Sequence, residues 1–156
     1  MKGNDKILTT LNQLLADELT AISQYMVHSE MCANWGYERL HKAIEKQAID
    51  EMHHAEWLIQ RIIFLEGSPI ASKLNPIQIG SSVADIIGND GGSELGAIAA
   101  YNAGIRLGHE VDDQGTVELL TKILTMEEGH RDWAEAQQDQ IQQMGLENYL
   151  TNQVEE

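Results

Sequence analysis

The chain has 156 residues, 42% of them hydrophobic, and a formal net charge of −15. This suits one domain over residues 1–156 with a substantial core, and it excludes a disordered tail. An acidic chain without a basic run excludes a phosphate-neutralising nucleic-acid surface, the apolar stretches fall short of the roughly 20 residues of a membrane helix, and the single cysteine, Cys32, excludes an internal disulfide or a four-thiolate metal knuckle.

Hydrophobic periodicity predicts helices almost throughout. Leu11, Leu14, Leu15, Ile22 and Tyr25 recur at helical spacing, so a first helix is expected from about residue 5 to 33. Asn34-Trp35-Gly36 reads as a tight turn. Leu40, Ile44, Ala48, Ala55, Leu58 and Ile62 mark a second helix ending near Gly67-Ser68-Pro69. The stretch to about Ser82 carries both prolines and no periodicity, which is a long connection by ordinary standards. Val83, Ile87, Ile98, Tyr101 and Ile105 mark a third helix, although its glycines oppose helix formation. Leu120, Ile123, Leu124, Ala134 and Ile141 mark a fourth, stopped at Met144-Gly145, with a short fifth over Leu146 to Thr151. Two long hairpins joined by one long crossover describe an all-α four-helix bundle with a short C-terminal fifth helix. The N-terminal Met-Lys-Gly-Asn-Asp-Lys has no apolar leader run, so the cytoplasm is the expected location.

The chemistry is carried by a repeat. Glu51 and His54 form a Glu-x-x-His pair, with Glu18 upstream by 33 residues. Glu127 and His130 form a second pair, with Glu94 upstream by the same 33. A shift of 76 residues carries each member of the first set onto the second, and also Tyr25 onto Tyr101 and Trp57 onto Trp133. Each candidate lies within an apolar stripe: Glu18 is four residues from both Leu14 and Ile22, and Glu51 is flanked by Ala48 and Ala55. His54 and His130 follow their glutamates by three, on the same helix face. Four core-facing carboxylates repel one another and are costly to bury, whereas two divalent cations would cancel their charge. One Glu from each of two helices and Glu-x-x-His from the other two is the ligand set of a two-metal carboxylate bundle. Carboxylate-rich donors with one imidazole per ion suit iron or manganese better than a closed structural zinc site.

A second apolar stripe lies on the second helix. At about 100° per residue, Ile49, Met52, Ile59 and Ile63 cluster away from the Glu51 face, which suggests a subunit interface. Met52 lies within it, and a thioether can ligate haem iron. Lys46, Asp50 and His53 lie on the opposite side. An ion pair between Lys46 and Asp50, one turn apart, is expected there.

With these residues in view, the chain closely resembles the bacterioferritins. The likeness runs from M-K-G-N-D-K through L-L-A-D-E-L-T-A-I-S-Q-Y, N-W-G, I-D-E-M-H-H-A-E, R-I-I-F-L-E-G and E-E-G-H to Q-M-G-L-E-N-Y-L. The resemblance implies a ferritin-like fold and a hollow homo-oligomeric shell of twenty-four subunits built of dimers. It implies an Fe(II)-oxidising di-iron centre in each subunit, using O2 or H2O2, and ferric mineral stored inside. It further implies that Glu51 and Glu127 bridge the two irons while Glu18, Glu94, His54 and His130 bind terminally. Met52 and its twofold mate would hold one haem between two subunits, and a small ferredoxin would be the reductant for release. No nucleic acid or membrane partner is implied. Some members carry a histidine where this chain has Lys46; Asp50 remains as a possible cavity-side iron ligand, with the ammonium of Lys46 opposing iron there. Two other readings compete: a di-iron oxidase or peroxidase that stores no mineral, and a shell subunit acting mainly as a haem-binding component.

Overall fold

The computed structural model describes residues 1–154. Among the described residues, five helices follow in order: α1 (Asp5–Asn34), α2 (Glu38–Phe64), α3 (Val83–Glu110), α4 (Gln114–Met144) and α5 (Leu146–Thr151). The expected four-helix bundle with one long crossover and a short fifth helix is the observed architecture. Helices α1 and α2 pair along their length, as do α3 and α4, and α1 lies against α3 to join the two hairpins.

The boundaries have local causes. The Asn4 side chain accepts hydrogen bonds from the Lys6 and Ile7 amides at the start of α1. Ser82 caps α3 through the Asp85 amide, and Asp113 caps α4 through the Thr116 amide. Three helices stop in the same way, with a left-handed residue whose amide and that of its successor reach back to orphan carbonyls. In α1 that residue is Gly36, with Gly36 N–H bonded to Ala33 O and Tyr37 N–H to Cys32 O. In α2 it is Glu66, which ends the helix at Phe64, before the expected Gly67-Ser68-Pro69. In α3 it is Asp112, with Asp113 N–H bonded to Gly108 O.

The glycines of α3 are compatible with helix because some of them face α4. A Cβ on Gly108 would meet Val117 Cγ2 at 2.7 Å, and one on Gly104 would meet Leu120 Cδ1 at 2.9 Å. Close approach of the two helices offsets the propensity cost of about 1 kcal/mol per glycine.

Two apolar cores occupy different stretches of each helix. One contains Leu11, Leu14 and Leu15 of α1, Leu58 and Ile62 of α2, Tyr101 of α3, and Leu120 and Ile123 of α4. The other contains Tyr25 and Cys32 of α1, Leu40 and Ile44 of α2, Ile86 and Ile87 of α3, Ala134 of α4 and Tyr149 of α5. On each long helix one buried glutamate falls between the two stretches: Glu18, Glu51, Glu94 and Glu127. A polar layer therefore sits between two apolar ones. The free thiol of Cys32 belongs to the second core, where burial and the Asp90 charge push it up to about 11, consistent with packing rather than reactivity.

The crossover, residues 65–82, lies along α1 and is tied down by side chains of that helix. Asn12 accepts from the Ile70 amide, Thr20 Oγ1 from the Asn75 amide, Gln24 Oε1 from the Gln78 amide, and His28 Nε2 from the Gly80 amide. His28 is fully buried, and its Nδ1 pairs with Asp90 at 2.8 Å. Among the described residues, no helix is long and apolar enough to cross a membrane.

Candidate metal centre

The six residues of the repeat converge, and all six are buried. They form two overlapping groups. Glu18, Glu51, His54 and Glu127 bring ligand atoms within 4.8 Å of one another, and so do Glu51, Glu94, Glu127 and His130. Glu51 and Glu127 belong to both groups. Each group otherwise holds one glutamate and one histidine from different helices, so the arrangement has the twofold character of the repeat. The imidazole centroids are 6.4 Å apart.

The outward atoms of these residues are supported. Tyr101 Oη donates to Glu18 Oε1 at 2.6 Å, and Tyr25 Oη donates to Glu94 Oε1. Each tyrosine thus holds the glutamate of the opposite set. His130 Nε2 faces Asp50 Oδ2 at 2.9 Å, and His54 Nε2 faces the Met126 sulfur at 3.2 Å. Trp57 lies against the His54 ring at 5.5 Å between centroids, with Lys122 Nζ 3.8 Å from the Trp57 centroid. Trp133, its counterpart in the repeat, is half-buried against the second apolar core.

The inward atoms are not supported. Glu18 Oε2, Glu51 Oε1, His54 Nδ1, Glu94 Oε2, Glu127 Oε1 and His130 Nδ1 are buried and have no hydrogen-bond partner. His54 Nδ1 does approach Glu127 Oε1 at 2.8 Å, and His130 Nδ1 approaches Glu51 Oε1 at 3.0 Å. These are close approaches of ionisable groups without hydrogen-bond geometry. One orphaned donor atom per residue, six in all, is the pattern expected of a ligand set whose cations complete it.

Without cations the cluster compensates with protons. Burial, reinforced by the Glu18 charge, holds the Glu51 carboxyl well above the usual carboxylate range. Burial also pushes Glu127 up to about 12 against the pull of His54, with the Glu18 and Glu51 charges adding to the rise. Glu18 goes the other way: burial alone would raise it, but the closeness of Glu51 and His54 and the hydrogen bond from Tyr101 leave it lowered. Burial disfavours charge on the two histidines, yet the carboxylates prevail. Glu127 and Glu18 bring His54 to about 9, and Glu94 and Asp50 bring His130 to about 9.

Asp50 and Met52, singled out from sequence, lie outside the two groups. Asp50 is turned towards His130, so its carboxylate supports the centre instead of the expected partner Lys46. Met52 is 45% exposed, in the same face as exposed Ile49 and Ile63, whereas Ile59, expected in the same stripe, is half-buried against the first apolar core, so the stripe is uncovered only around Ile49, Met52 and Ile63. The support roles of Tyr25, Tyr101 and Met126 were not anticipated. The shift of 76 marked the two tyrosines as equivalent, but no local signal pointed to their partners. A cavity of about 530 Å³ opens between α1, α3 and the crossover, lined in part by Asp17, Asn75, Gln78, Gly92 and Gly96, and it reaches Glu18, Glu51 and Glu127.

Comparison with known proteins gives a consistent assignment. The family described as "Ferritin-like domain" matches residues 8–144. The chain is 38% identical over 149 residues to a bacterioferritin of Brucella melitensis, covering 96% of this chain and 92% of that protein. It is 39% identical over 155 residues to a bacterial ferritin of Synechocystis sp., covering 99% of both. It is 36% identical over 149 residues to a bacterioferritin of Rhodobacter capsulatus, covering 96% of this chain and 92% of that protein.

Proposed function

The chain belongs to the bacterioferritins, within the ferritin-like family, and from that premise we propose that it is an iron-storage subunit that oxidises Fe(II) to Fe(III) at its central cluster. The observation that carries this reading is the division of atoms at the cluster. Every outward atom named above has a partner, and the six inward ones have none. That donor set of four carboxylates and two imidazoles fits a pair of divalent iron ions in charge and in kind. Glu51 and Glu127, common to both groups, would bridge the pair. Glu18 with His54 would hold one ion, and Glu94 with His130 the other.

The iron pair supplies two electrons, matching the two-electron reduction of O2 to H2O2 or of H2O2 to water. The protein's own part is positional. Tyr101 and Tyr25 fix the terminal glutamates, and their hydroxyls stay protonated because burial and the neighbouring carboxylates raise them well above the ordinary tyrosine value. Asp50 and Met126 orient the rings so that each Nδ1 faces inward. The cavity beside the crossover is the route by which Fe(II) would reach the cluster.

At the next level we propose a cytoplasmic shell of twenty-four copies built of dimers, one domain per chain over residues 1–156, with ferric mineral inside. A haem held by Met52 and its mate would lie between paired subunits. An exposed thioether in an otherwise apolar exposed stripe fits such a group. A small ferredoxin is the reductant the family likeness implies for iron release. Asp50, whose carboxylate already serves His130, would be an auxiliary cavity-side ligand through its other oxygen.

The test is aerobic addition of Fe(II) to the purified metal-free protein, followed by sizing of the product. A fast oxidation phase of two Fe(II) per subunit and electron-dense particles are expected. Oxidation no faster than in buffer would overturn the reading. Fast oxidation without particles would instead favour a di-iron oxidase that stores no mineral.

A further inference from the structure

The six ligands obey the 76-residue repeat, but the residues behind the histidines do not. The same shift carries Asp50 onto Met126. Each immediately precedes a glutamate common to both ligand groups, Glu51 or Glu127, and each stands behind the imidazole of the other half. Asp50 Oδ2 is 2.9 Å from His130 Nε2, and the Met126 sulfur is 3.2 Å from His54 Nε2. Equivalent places thus hold an anionic carboxylate on one side and a neutral thioether on the other.

These groups act differently on a ring that binds a cation through Nδ1. A carboxylate accepting the Nε2 proton fixes the ring and makes it a stronger donor, whereas a thioether is a weak acceptor carrying no charge. The remaining surroundings increase the difference. On the His54 side Trp57 lies tilted against the ring, 5.5 Å between centroids, and Lys122 places a positive charge 3.8 Å from the Trp57 centroid. On the His130 side the added charge, that of Asp50, is negative.

We propose that Asp50 and Met126 make the two metal positions unequal: the position of Glu94 and His130 fills first and retains its ion, and that of Glu18 and His54 is the weaker, exchangeable one. This rests on the two-metal reading of the cluster. Loss of a ligand's supporting partner typically lowers metal affinity by 10- to 100-fold, so a separation of at least about tenfold is expected between the two positions. A centre built this way keeps one ion in place and turns over the other.

Titration of the metal-free full-length protein with Co(II), followed by its visible absorption, is the direct measurement. Two resolved steps of one ion per subunit are expected. Crystals soaked with one equivalent should carry the cobalt anomalous signal at the Glu94/His130 position. Met126→Asp restores the repeat and should bring the second step up towards the first, whereas Met126→Leu should keep the wild-type order, which separates a gained carboxylate from a lost sulfur. Asp50→Asn keeps an acceptor but removes the charge and should weaken the first step, providing an arm that does not depend on how well Met126→Asp folds. Two equal steps in the wild type, or first occupancy at the Glu18/His54 position, overturns the proposal while leaving the two-metal centre standing. No cobalt in the cluster overturns both.

Discussion

Tyr101 and Tyr25 bind the cluster across its twofold: each sits on one hairpin or its neighbour and holds a glutamate of the opposite set. Tyr101→Phe leaves Glu18 Oε1 buried without its donor. A hydrogen bond to a charged group is worth about 1.5–3 kcal/mol, so the metal-free protein should lose stability of that order, as thermal or denaturant unfolding would register. Fe(II) oxidation should slow but persist, because no metal-facing atom has been removed. Glu18→Ala and His130→Ala each remove a metal-facing atom and should abolish rapid Fe(II) oxidation in stopped-flow absorbance. In Glu18→Ala the relief of one of four crowded carboxylates offsets part of the loss of the Tyr101 hydrogen bond, so the metal-free fold should be no less stable than that of Tyr101→Phe. Wild-type rates in both variants would remove the proposed centre. At this scale the ligands were legible because their spacing repeats. Their supports were not, because Tyr25 and Glu94 are 69 residues apart, Tyr101 and Glu18 are 83 apart, and His130 and Asp50 are 80 apart. Only packing of the two hairpins brings such pairs together.

Helix α1 has two functions along two faces. One carries the apolar residues and Glu18. The other carries Asn12, Thr20, Gln24 and His28, which hold the crossover. A polar residue on a helix ordinarily reads as solvated surface, so the second face gave no signal in the sequence, and the crossover looked unstructured. Gln24→Leu removes the acceptor for the Gln78 amide and the donor to Asp90 and Ser93. Leaving these partners unmatched should cost about 1–3 kcal/mol, and hydrogen exchange at the Gln78 and Gly80 amides should accelerate relative to the α3 and α4 amides. Unchanged exchange there would show that the crossover is held by other contacts. The length of α2 was overestimated for a related reason. Its stop depends on Glu66 adopting a left-handed backbone, a conformation usually signalled by glycine. Where Gly36 or Gly145 supplied that signal, the expected boundary and the observed one agree to within about a residue.

For the molecule as a whole, the central layer ties stability to pH and to metal. Glu51 and Glu127 are held above their ordinary range in the fold, while in the unfolded chain they ionise near 4.5. His54 and His130 keep their protons up to about 9 in the fold but only to about 6.5 when unfolded. All four bind protons more tightly when folded, so their contribution is complete below the unfolded values and is lost as pH rises. Glu18, lowered in the fold, acts in the opposite direction as a single group. The metal-free protein should therefore melt at progressively lower temperature from about pH 5 to pH 9, while a Co(II)-loaded sample, whose cations replace those protons, should show a flatter profile. Calorimetry of both forms across that range checks the sign, and a metal-free melting temperature that rises with pH contradicts it. Between subunits, Met52→Leu conserves volume and should cost less than about 1.5 kcal/mol, yet it should remove the haem Soret band. Full haem retention would return Met52 to packing. Bundle architecture was readable from periodicity because every long helix keeps one apolar stripe. The uncovered Met52 face could be located in the same way, but a periodic pattern carries no mark of what covers it.

Gly92 and Gly96 line the opening to the cluster, and a Cβ at either would meet nothing within 4 Å. Their presence is therefore not required by backbone geometry, and it costs helix α3 roughly 0.5–1 kcal/mol per position relative to alanine. In the proposed iron route, positions without long side chains leave the passage wide while the glycines cost the helix stability. Gly92→Ala should raise the melting temperature with little effect on iron entry. Gly96→Leu would extend a side chain into the passage and throttle the supply of Fe(II) while leaving the chemistry behind it intact. Evolution towards a hotter environment and evolution towards faster filling would thus pull on the same two positions from opposite directions.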